Sequence, residues 1–351
     1  MKIHIFTVYN SRNFGSYLQA TALQNALNKY GAVDFVDTKT RCTEKFKNQE
    51  LCKNVFKLQF KRAIFEYQTS MYFLEKQKLL PVIQMDDVIS DDICVFGSDE
   101  IWNVARRAFS DYPIFWGKGF ERNPKFSYAP SVNYATEQQL MEYGAKDFLS
   151  KFISVSVRDN YTKEALESIC GKQIEKVIDP TMLFTKDHYL SCFRQEKIPY
   201  KKYIAVYSYF SKNDDRVRKI KQLARKLGKK LVSVGLYNNW CDYCAISPDL
   251  NPFVYYENAD FVISNTFHGI AFAITFQKNF IALLDDNNKK VQSMLSEFGL
   301  SSRITDGKSL LQMEEILRDP VDYNSVSCVL EVRRKQSYEF IEKAIINAVG
   351  I

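Results

Sequence analysis

Histidine is scarce in this sequence: only three of 351 residues are histidines, and no H-E-x-x-H pattern occurs. Zinc hydrolases commonly take ligands from histidine, so that class has little support. The single C-x-x-C pattern, Cys241 to Cys244, has neither a second cysteine pair nor a neighbouring histidine, so a structural zinc site lacks ligands. A P-loop, a G-x-G-x-x-G fingerprint and a G-x-S-x-G nucleophile elbow are also missing. We therefore predict no metal site.

Long apolar runs are missing too, since none approaches the ~18 residues that a membrane-spanning helix requires. The opening stretch, MKIHIFTVYN, passes from one lysine directly into an alternating strand pattern, unlike a signal peptide. Eight cysteines are scattered without the dense spacing of small disulfide-rich domains. We expect a cytoplasmic protein, and this leaves room for peripheral contact at the inner face of the cell membrane.

The composition is that of a folded protein, with 46% hydrophobic, 25% charged and 14% aromatic residues. The positive charge is concentrated in two segments, because residues 41–80 contribute +5 and residues 201–230 contribute +9 to the formal net charge of +7. The rest of the chain carries a net charge of −7. Such segments attract phosphorylated molecules, anionic lipid or nucleic acid, although most charge runs are solvated helix faces. No nucleic-acid-binding motif accompanies them, so we predict no nucleic-acid partner.

Strand and helix patterns alternate along the chain, which is typical of parallel sheets wrapped in helices. Residues 1–195 are predicted to form one α/β domain with a helical insert at about 45–80. Residues 196–327 form a second α/β domain, and residues 328–351 a long amphipathic helix that folds back across the first. Individual elements predicted from the patterns include a helix over 137–149 and strands over 203–207 and 261–264.

The most informative candidate site follows the predicted strand 261–264, where Thr266, His268 and Gly269 open a helix. Ligands of open α/β sheets bind beyond the carboxyl ends of strands, where helix N-termini present N–H groups to anions. His268 could therefore hold an anion or act as a general acid. The alternative is a histidine that caps the helix or packs in the core.

Three other strand ends carry candidate residues. Arg158 follows a strand and could clamp a carboxylate or phosphate with its fork of donors; the alternative is a surface Arg–Asp pair. Asp99 could accept a proton from a hydroxyl and Trp102 could stack on a sugar, with a simple N-cap and a packed tryptophan as the alternatives. The remaining polar or flexible candidates at these junctions are Ser98, Asn13 and Gly15.

Six segments in order resemble the motifs of the polysaccharide pyruvyl transferase family, and the resemblance extends over residues 1–285. The segments are NFGSYLQATAL (13–23), VFGSDEIWN (95–103), FSYAPS (126–131), SVSVRD (154–159), VIDPTMLF (177–184) and the block ending in SNTFHG (247–269).

The resemblance implies an α/β fold of two Rossmann-like domains facing a cleft, similar to GT-B glycosyltransferases. It also implies phosphoenolpyruvate as a co-substrate, with no further cofactor. Family members transfer its pyruvyl group to two hydroxyls of one sugar in a cell-surface polysaccharide or its lipid-linked precursor, forming a ketal and releasing phosphate. By this resemblance His268 and Arg158 hold the donor. From the chemistry we expect His268 to act as acid or phosphate clamp, Arg158 to neutralise the donor's carboxylate or phosphate, and Asp99 to orient or deprotonate the acceptor hydroxyl.

Two other functions are compatible with the same scaffold, because a fold alone does not choose the chemistry. One is a GT-B-like glycosyltransferase that uses a nucleotide sugar. The other is a non-catalytic protein that binds a glycan or phosphate.

Overall fold

The computed structural model describes residues 1–11, 13–38, 60–192, 198, 200–245, 252–284 and 288–350. Within these ranges the chain divides into two compact units. The first contains residues up to 38, 73–183 and 330–350, and the second contains 60–72 and the described part of 184–329. The predicted domain boundary at 195/196, and the part of the predicted helical insert before residue 60, lie outside the described residues.

The first unit is organised around a parallel sheet in the order β3-β2-β1-β4-β5. Its strands are β1 (Lys2–Phe6), β2 (Ala32–Val36), β3 (Val82–Ile83), β4 (Ile93–Phe96), β5 (Lys125–Ser127), β6 (Ser156–Val157) and β7 (Glu175–Lys176). Ile5 of β1 pairs with Phe35 on one side and Val95 on the other. A parallel bridge between Phe126 and Ser154 leads on to the β6–β7 pair. The central strands are apolar because helices cover both faces of such a sheet.

The helices that begin before residue 184 belong to the first unit, except for the first part of α2. They are α1 (Phe14–Leu27), α2 (Phe60–Lys78, whose first part belongs to the second unit), α3 (Arg107–Ser110), α4 (Glu137–Glu142), α5 (Ala145–Ser150) and α6 (Asn160–Cys170). The single helix predicted over 137–149 is wrong. Gly144 adopts a left-handed conformation, with φ 79°, and this divides the segment into α4 and α5.

Aromatic rings fill the core of the first unit. Phe6 stacks on Phe96 with ring centroids 4.5 Å apart, and Trp102 stacks on Trp116 at 4.7 Å. All four rings are fully buried. Much of the high aromatic content therefore serves packing, which offset-stacked rings stabilise beyond the burial of their area.

The second unit repeats the same architecture with the sheet order β10-β9-β8-β11-β12, again parallel throughout. Its strands are β8 (Tyr203–Tyr207), β9 (Lys230–Val234), β10 (Tyr243–Ala245), β11 (Phe261–Ser264) and β12 (Phe280–Ala282). Its helices are α7 (Lys186–Ser191), α8 (Asp215–Lys226), α9 (Pro252–Glu257), α10 (Phe267–Thr275), α11 (Lys289–Glu297) and α12 (Leu310–Arg318). The strands predicted over 203–207 and 261–264 are confirmed as β8 and β11. Both units thus have the Rossmann-like strand order in which the chain reverses direction beside the first strand.

The basic charge of residues 201–230 lies largely on α8. Val217, Ile220 and Leu223 of this helix are buried, while its basic residues alternate with them. Asp214 caps the helix, and the hydrogen bond from the Arg216 side chain lowers the pKa of that carboxyl. The segment is therefore a solvated amphipathic helix that carries part of the second unit's core.

The last helix, α13 (Tyr323–Val349), packs against the first unit from residue 330 onward, as the sequence predicted. Arg334 Nε donates to the carbonyl of Met182 at 2.8 Å, and Ser337 Oγ accepts the Ile178 N–H at 3.0 Å. Both α13 and α2 are long. Neither of them, nor any other helix in the described ranges, is apolar enough over a sufficient length to cross a bilayer.

We expect Ser337→Ala to lower the free energy of unfolding by about 1–3 kcal/mol, because the buried Ile178 N–H loses its acceptor. Urea unfolding monitored by circular dichroism measures this loss. Ser327→Ala is the control, since this serine on the same helix accepts only an exposed 3.4 Å bond from Gln277. Equal losses for the two variants would contradict the assigned role of Ser337.

Candidate functional site

Both sheets have a point where the chain direction reverses, between β1 and β4 in the first unit and between β8 and β11 in the second. Loops that leave the carboxyl ends of these strands form the usual ligand-binding crevice of an open α/β sheet. The predicted site residues lie on such loops. Asn13 and Gly15 follow β1, Ser98 and Asp99 follow β4, and the His268 segment follows β11.

Asp99 is the centre of the first unit's loop cluster. Its Oδ2 accepts from Ser16 Oγ at 2.8 Å, its Oδ1 accepts from the Glu100 N–H at 2.8 Å, and Arg158 Nη2 lies 3.7 Å from Oδ1. Its backbone adopts φ 72°, and its carbonyl accepts from the Ser131 N–H. The side chain is 13% exposed, so the carboxylate is fixed in direction while part of it reaches solvent.

Arg158 is enclosed by carboxylates rather than presented to solvent. Its Nη1 donates to Asp179 Oδ2 at 2.8 Å, and only 1% of its side chain is exposed. Burial alone would lower the pKa of the guanidinium, but the charges of Asp179 and Asp99 outweigh burial and raise it. A guanidinium held in this way positions Asp99. The direct clamp on a ligand that the sequence predicted for Arg158 is not supported, and neither is the alternative of a surface pair.

Ser98 belongs to the interior of the same cluster. Its hydroxyl donates to Gln19 Oε1 at 2.6 Å, and the residue is fully buried. Gln19 in turn donates to Thr7 Oγ1 at 3.0 Å and to the Ser16 carbonyl at 2.9 Å. The predicted substrate contact of Ser98 is therefore wrong, because its hydroxyl is buried and serves to join β4 to α1. Gln19 was missed as a candidate, although it stands within the NFGSYLQATAL motif.

Trp102 is the clearest correction. It is fully buried, stacks on Trp116, and donates from Nε1 to the Phe115 carbonyl at 2.9 Å. No face of its ring is open to a sugar, so the predicted stacking role is wrong and the packed alternative holds.

Asn13 and Gly15 build the start of α1. Asn13 is the N-cap, and its Oδ1 accepts the Gly15 N–H at 2.8 Å. This bond satisfies one of the N–H groups that a helix start leaves unpaired. Asn13 Oδ1 and the Gly15 N–H thus have a structural role at the carboxyl end of β1.

The second unit's cluster is built from hydroxyls. Ser264 Oγ donates to the Tyr207 carbonyl at 2.7 Å and accepts the Thr266 N–H at 3.0 Å. Thr266 is the N-cap of α10, and its Oγ1 accepts the Gly269 N–H at 3.0 Å. A Cβ at position 269 would lie 2.1 Å from Ser264 Oγ, so this turn requires glycine.

His268 stands in the first turn of α10 with 9% of its surface exposed. Its ring lies against Phe267 and Phe272, with centroids 5.5 and 6.3 Å away. The histidine is thus largely packed, as the alternative anticipated, and it also stands at the positive end of a helix dipole. The packed environment agrees with the alternative, and the anion-binding or acid role of His268 stays a prediction.

Tyr209 and Asn265 were not predicted as site residues. Tyr209 lies two residues beyond the end of β8, is 61% exposed, and donates its N–H to Asn265 Oδ1 at 3.1 Å. The Asn265 carbonyl accepts from Asn288 at 3.0 Å. These bonds join the loops that leave β8 and β11. The exposure of Tyr209 depends on the fold, so its residue type alone did not identify it.

Within the described residues, no group of three or more His, Cys, Asp or Glu side chains is arranged to hold a metal ion. The polar groups that we describe at the two carboxyl edges are instead hydroxyls, amides, carboxylates, the His268 imidazole and the buried guanidinium of Arg158. Such an arrangement suits proton transfer to and from oxygen and the binding of anions at a helix N-terminus.

Comparison with protein families gives a match over most of the chain, since the model described as polysaccharide pyruvyl transferase matches residues 13–287. Among curated proteins, none shows significant sequence similarity to this chain.

Solved structures share the fold at low sequence identity. A Methanocaldococcus jannaschii UDP-GlcNAc 2-epimerase in complex with UDP-GlcNAc and UDP is 10% identical, with a TM-score of 0.52, covering 95% of this chain and 99% of that chain. An E. coli structure described as trehalose-6-phosphate bound with UDP-2-fluoro glucose is 10% identical, with a TM-score of 0.53 and coverages of 100% and 99%. Spinosyn forosaminyltransferase is 11% identical, with a TM-score of 0.52 and full coverage of both chains. Together with the two sheet orders, these neighbours confirm the GT-B-like class with two Rossmann-like domains.

We expect Arg158→Met to lower the free energy of unfolding by about 3–5 kcal/mol, because Asp179 and Asp99 lose their buried counter-charge. Chemical denaturation measures the change. Arg106→Met is the control, since Arg106 pairs with Glu100 but its side chain is 46% exposed, and this loss should stay within about 1 kcal/mol. A small effect of Arg158→Met would show that the guanidinium is not what holds the cluster.

We expect Gly269→Ala to cost about 1–3 kcal/mol of stability, because the new Cβ overlaps the Ser264 side chain. The same substitution should cost less in a Ser264→Gly background, where the Ser264 atoms are gone and the close contact with Thr266 Oγ1 at 2.8 Å remains. Chemical denaturation of both single variants and the double variant completes this double-mutant cycle. If the two losses of unfolding free energy simply added, the close approach of position 269 to Ser264 would be contradicted.

Proposed function

The chain belongs to the polysaccharide pyruvyl transferase family, and we propose that it transfers the pyruvyl group of phosphoenolpyruvate to two hydroxyls of one sugar. The product is a cyclic ketal on a cell-surface polysaccharide or its lipid-linked precursor, and phosphate is released. The observation that carries this proposal is His268 in the first turn of α10, at the carboxyl end of β11 and within the family-matched range.

The reaction balances without an oxidant or a metal. A proton adds to the enol methylene of phosphoenolpyruvate, which becomes a methyl group and leaves a cation at C2. One sugar hydroxyl attacks C2 and loses its proton, the C2–O bond to phosphate breaks, and the second hydroxyl closes the ring with loss of its proton. Two protons leave the hydroxyls; one balances the new methyl group and the other leaves with phosphate.

The donor-binding role belongs to the start of α10. A helix N-terminus attracts phosphate and carboxylate, and a bound anion stabilises the protonated form of a neighbouring histidine. His268 would then either clamp the phosphate or donate the proton to the methylene carbon. Thr266 and Gly269 shape the turn, since the Thr266 hydroxyl accepts the Gly269 N–H.

The acceptor-activating role belongs to Asp99. Its carboxylate is held from three directions by Ser16, the Glu100 N–H and Arg158, and it remains 13% exposed. A fixed carboxylate of this kind can orient a sugar hydroxyl and accept its proton. Arg158 acts through Asp99 as a positioning residue.

The proposed setting follows from the substrate class. Phosphoenolpyruvate is a co-substrate and no further cofactor is required. The reaction takes place in the cytoplasm, and a lipid-linked acceptor brings the protein to the inner face of the cell membrane.

Thermal unfolding with and without millimolar phosphoenolpyruvate tests the donor. A ligand at about 100 times its Kd adds about 2.7 kcal/mol to stability, which is readily measured as a rise in Tm. We expect His268→Gln to abolish this rise. His188→Gln is the control, because this half-buried histidine of the second unit lies on α7 and stacks on Phe184.

A rise in Tm that survives in His268→Gln would contradict the donor role of this residue. A rise with a nucleotide sugar and none with phosphoenolpyruvate would overturn the pyruvyl proposal in favour of glycosyl transfer. Binding of phosphoenolpyruvate without phosphate release in the presence of a saccharide pool would indicate a non-catalytic protein.

A further inference from the structure

Helix α2 carries apolar side chains on its outward face. Phe60, Ile64, Tyr67 and Met71 are 56%, 55%, 53% and 40% exposed. Their spacing of four, three and four residues places them on one stripe of the helix. The outward face of a surface helix is normally polar, so a contiguous apolar stripe indicates a contact surface.

This stripe is not the face that holds α2 to the protein. Phe65 is 4% exposed and lies on the other side of the helix. Phe65 packs against Tyr237 with ring centroids 5.4 Å apart. Helix α2 therefore has its own attachment to the second unit and presents a second apolar face to solvent.

Basic residues accompany the stripe. Lys61 and Arg62 are exposed at the end of the helix where Phe60 and Ile64 lie, and Arg62 also approaches Glu66 at 3.6 Å. Helix α2 itself carries four basic and two acidic residues, a net charge of +2. At about 100° per residue Lys61 borders the stripe, whereas Arg62 lies on the side of the helix that faces Tyr237. An apolar stripe bordered by a lysine on a basic helix, with a tyrosine among its members, is typical of helices that lie in the interface of anionic membranes.

The position of α2 in the second unit also matters. Tyr237, on which Phe65 packs, lies in the loop that leaves the carboxyl end of β9. The His268 turn leaves the carboxyl end of β11 in the same parallel sheet. Helix α2 therefore contacts a loop at the same carboxyl edge of the second sheet from which the His268 turn leaves.

We propose that the outward face of α2 binds the surface of membranes that contain anionic lipids. Four side chains on one helix are too few for a stable protein–protein interface, which takes about 20–30 residues from each side. They are enough for a helix that inserts shallowly and adds electrostatic attraction to lipid headgroups. The biological role of this binding rests on the proposed function, in which a lipid-linked acceptor lies at the membrane. The binding itself is tested without donor or acceptor.

Vesicle sedimentation with the full chain tests the proposal. We expect binding to vesicles of phosphatidylcholine mixed with phosphatidylglycerol, weaker binding to phosphatidylcholine alone, and a loss of binding as salt is raised. Ile64→Gln should lower the partition coefficient about tenfold or more, because one large apolar side chain leaves the lipid. Lys61→Glu should lower it on the anionic vesicles only.

Ile346→Gln is the matched control, since this isoleucine on α13 is 43% exposed and lies in the first unit. It should leave binding unchanged. Equal losses for the two isoleucine variants, or no binding by the unaltered chain, would overturn the proposal. Self-association that Ile64→Gln abolishes would assign the stripe to a second copy instead. Vesicle binding that persists when no pyruvyl transfer is found would leave this inference standing while the proposed function fails.

Discussion

A buried guanidinium joins three loops of the first unit that are far apart in the sequence. Arg158 follows β6, Asp99 follows β4 and Asp179 follows β7, and the side chain of Arg158 reaches both carboxylates. Removing three charges from water costs free energy, so the arrangement is stable only because the charges pair closely and the carboxylates also accept from neighbouring N–H and O–H groups. The carboxyl edge of the sheet is thereby fixed around Asp99, and every chemical role assigned to that residue depends on it.

The two units use one topology with different polar chemistry at the same edge. In the first, formal charges hold the loops; in the second, the hydroxyls of Ser264 and Thr266 hold the turn that carries His268. Because these hydroxyls are uncharged, the positive potential of the α10 N-terminus is not neutralised by them, and this suits an anionic donor. A carboxylate presented by the first unit suits a neutral hydroxyl acceptor.

Sequence patterns predicted the strands whose side chains are largely buried, such as β8 and β11, because a continuous apolar run of four or five residues is typical of a buried strand. They missed β3 and β10, since two or three residues at a sheet edge leave almost no pattern. The strand-end rule identified Asp99, Arg158 and His268 as candidates, but exposure is a property of the whole fold. For that reason Trp102 and Ser98 were taken for contact residues although they are buried, and the exposed Tyr209 was missed.

Helix α13 has a consequence for how the chain is made. Residues 330–350 contribute Phe340, Ile341 and Ala344 to the interior of the first unit, yet they follow the whole second unit in the sequence. During synthesis the ribosome therefore delivers the complete second unit before the first has its last helix. The unit that starts first finishes last, and until residues 330–350 are synthesised the apolar surface around Phe126 and Tyr128, where Phe340 packs, lacks this cover.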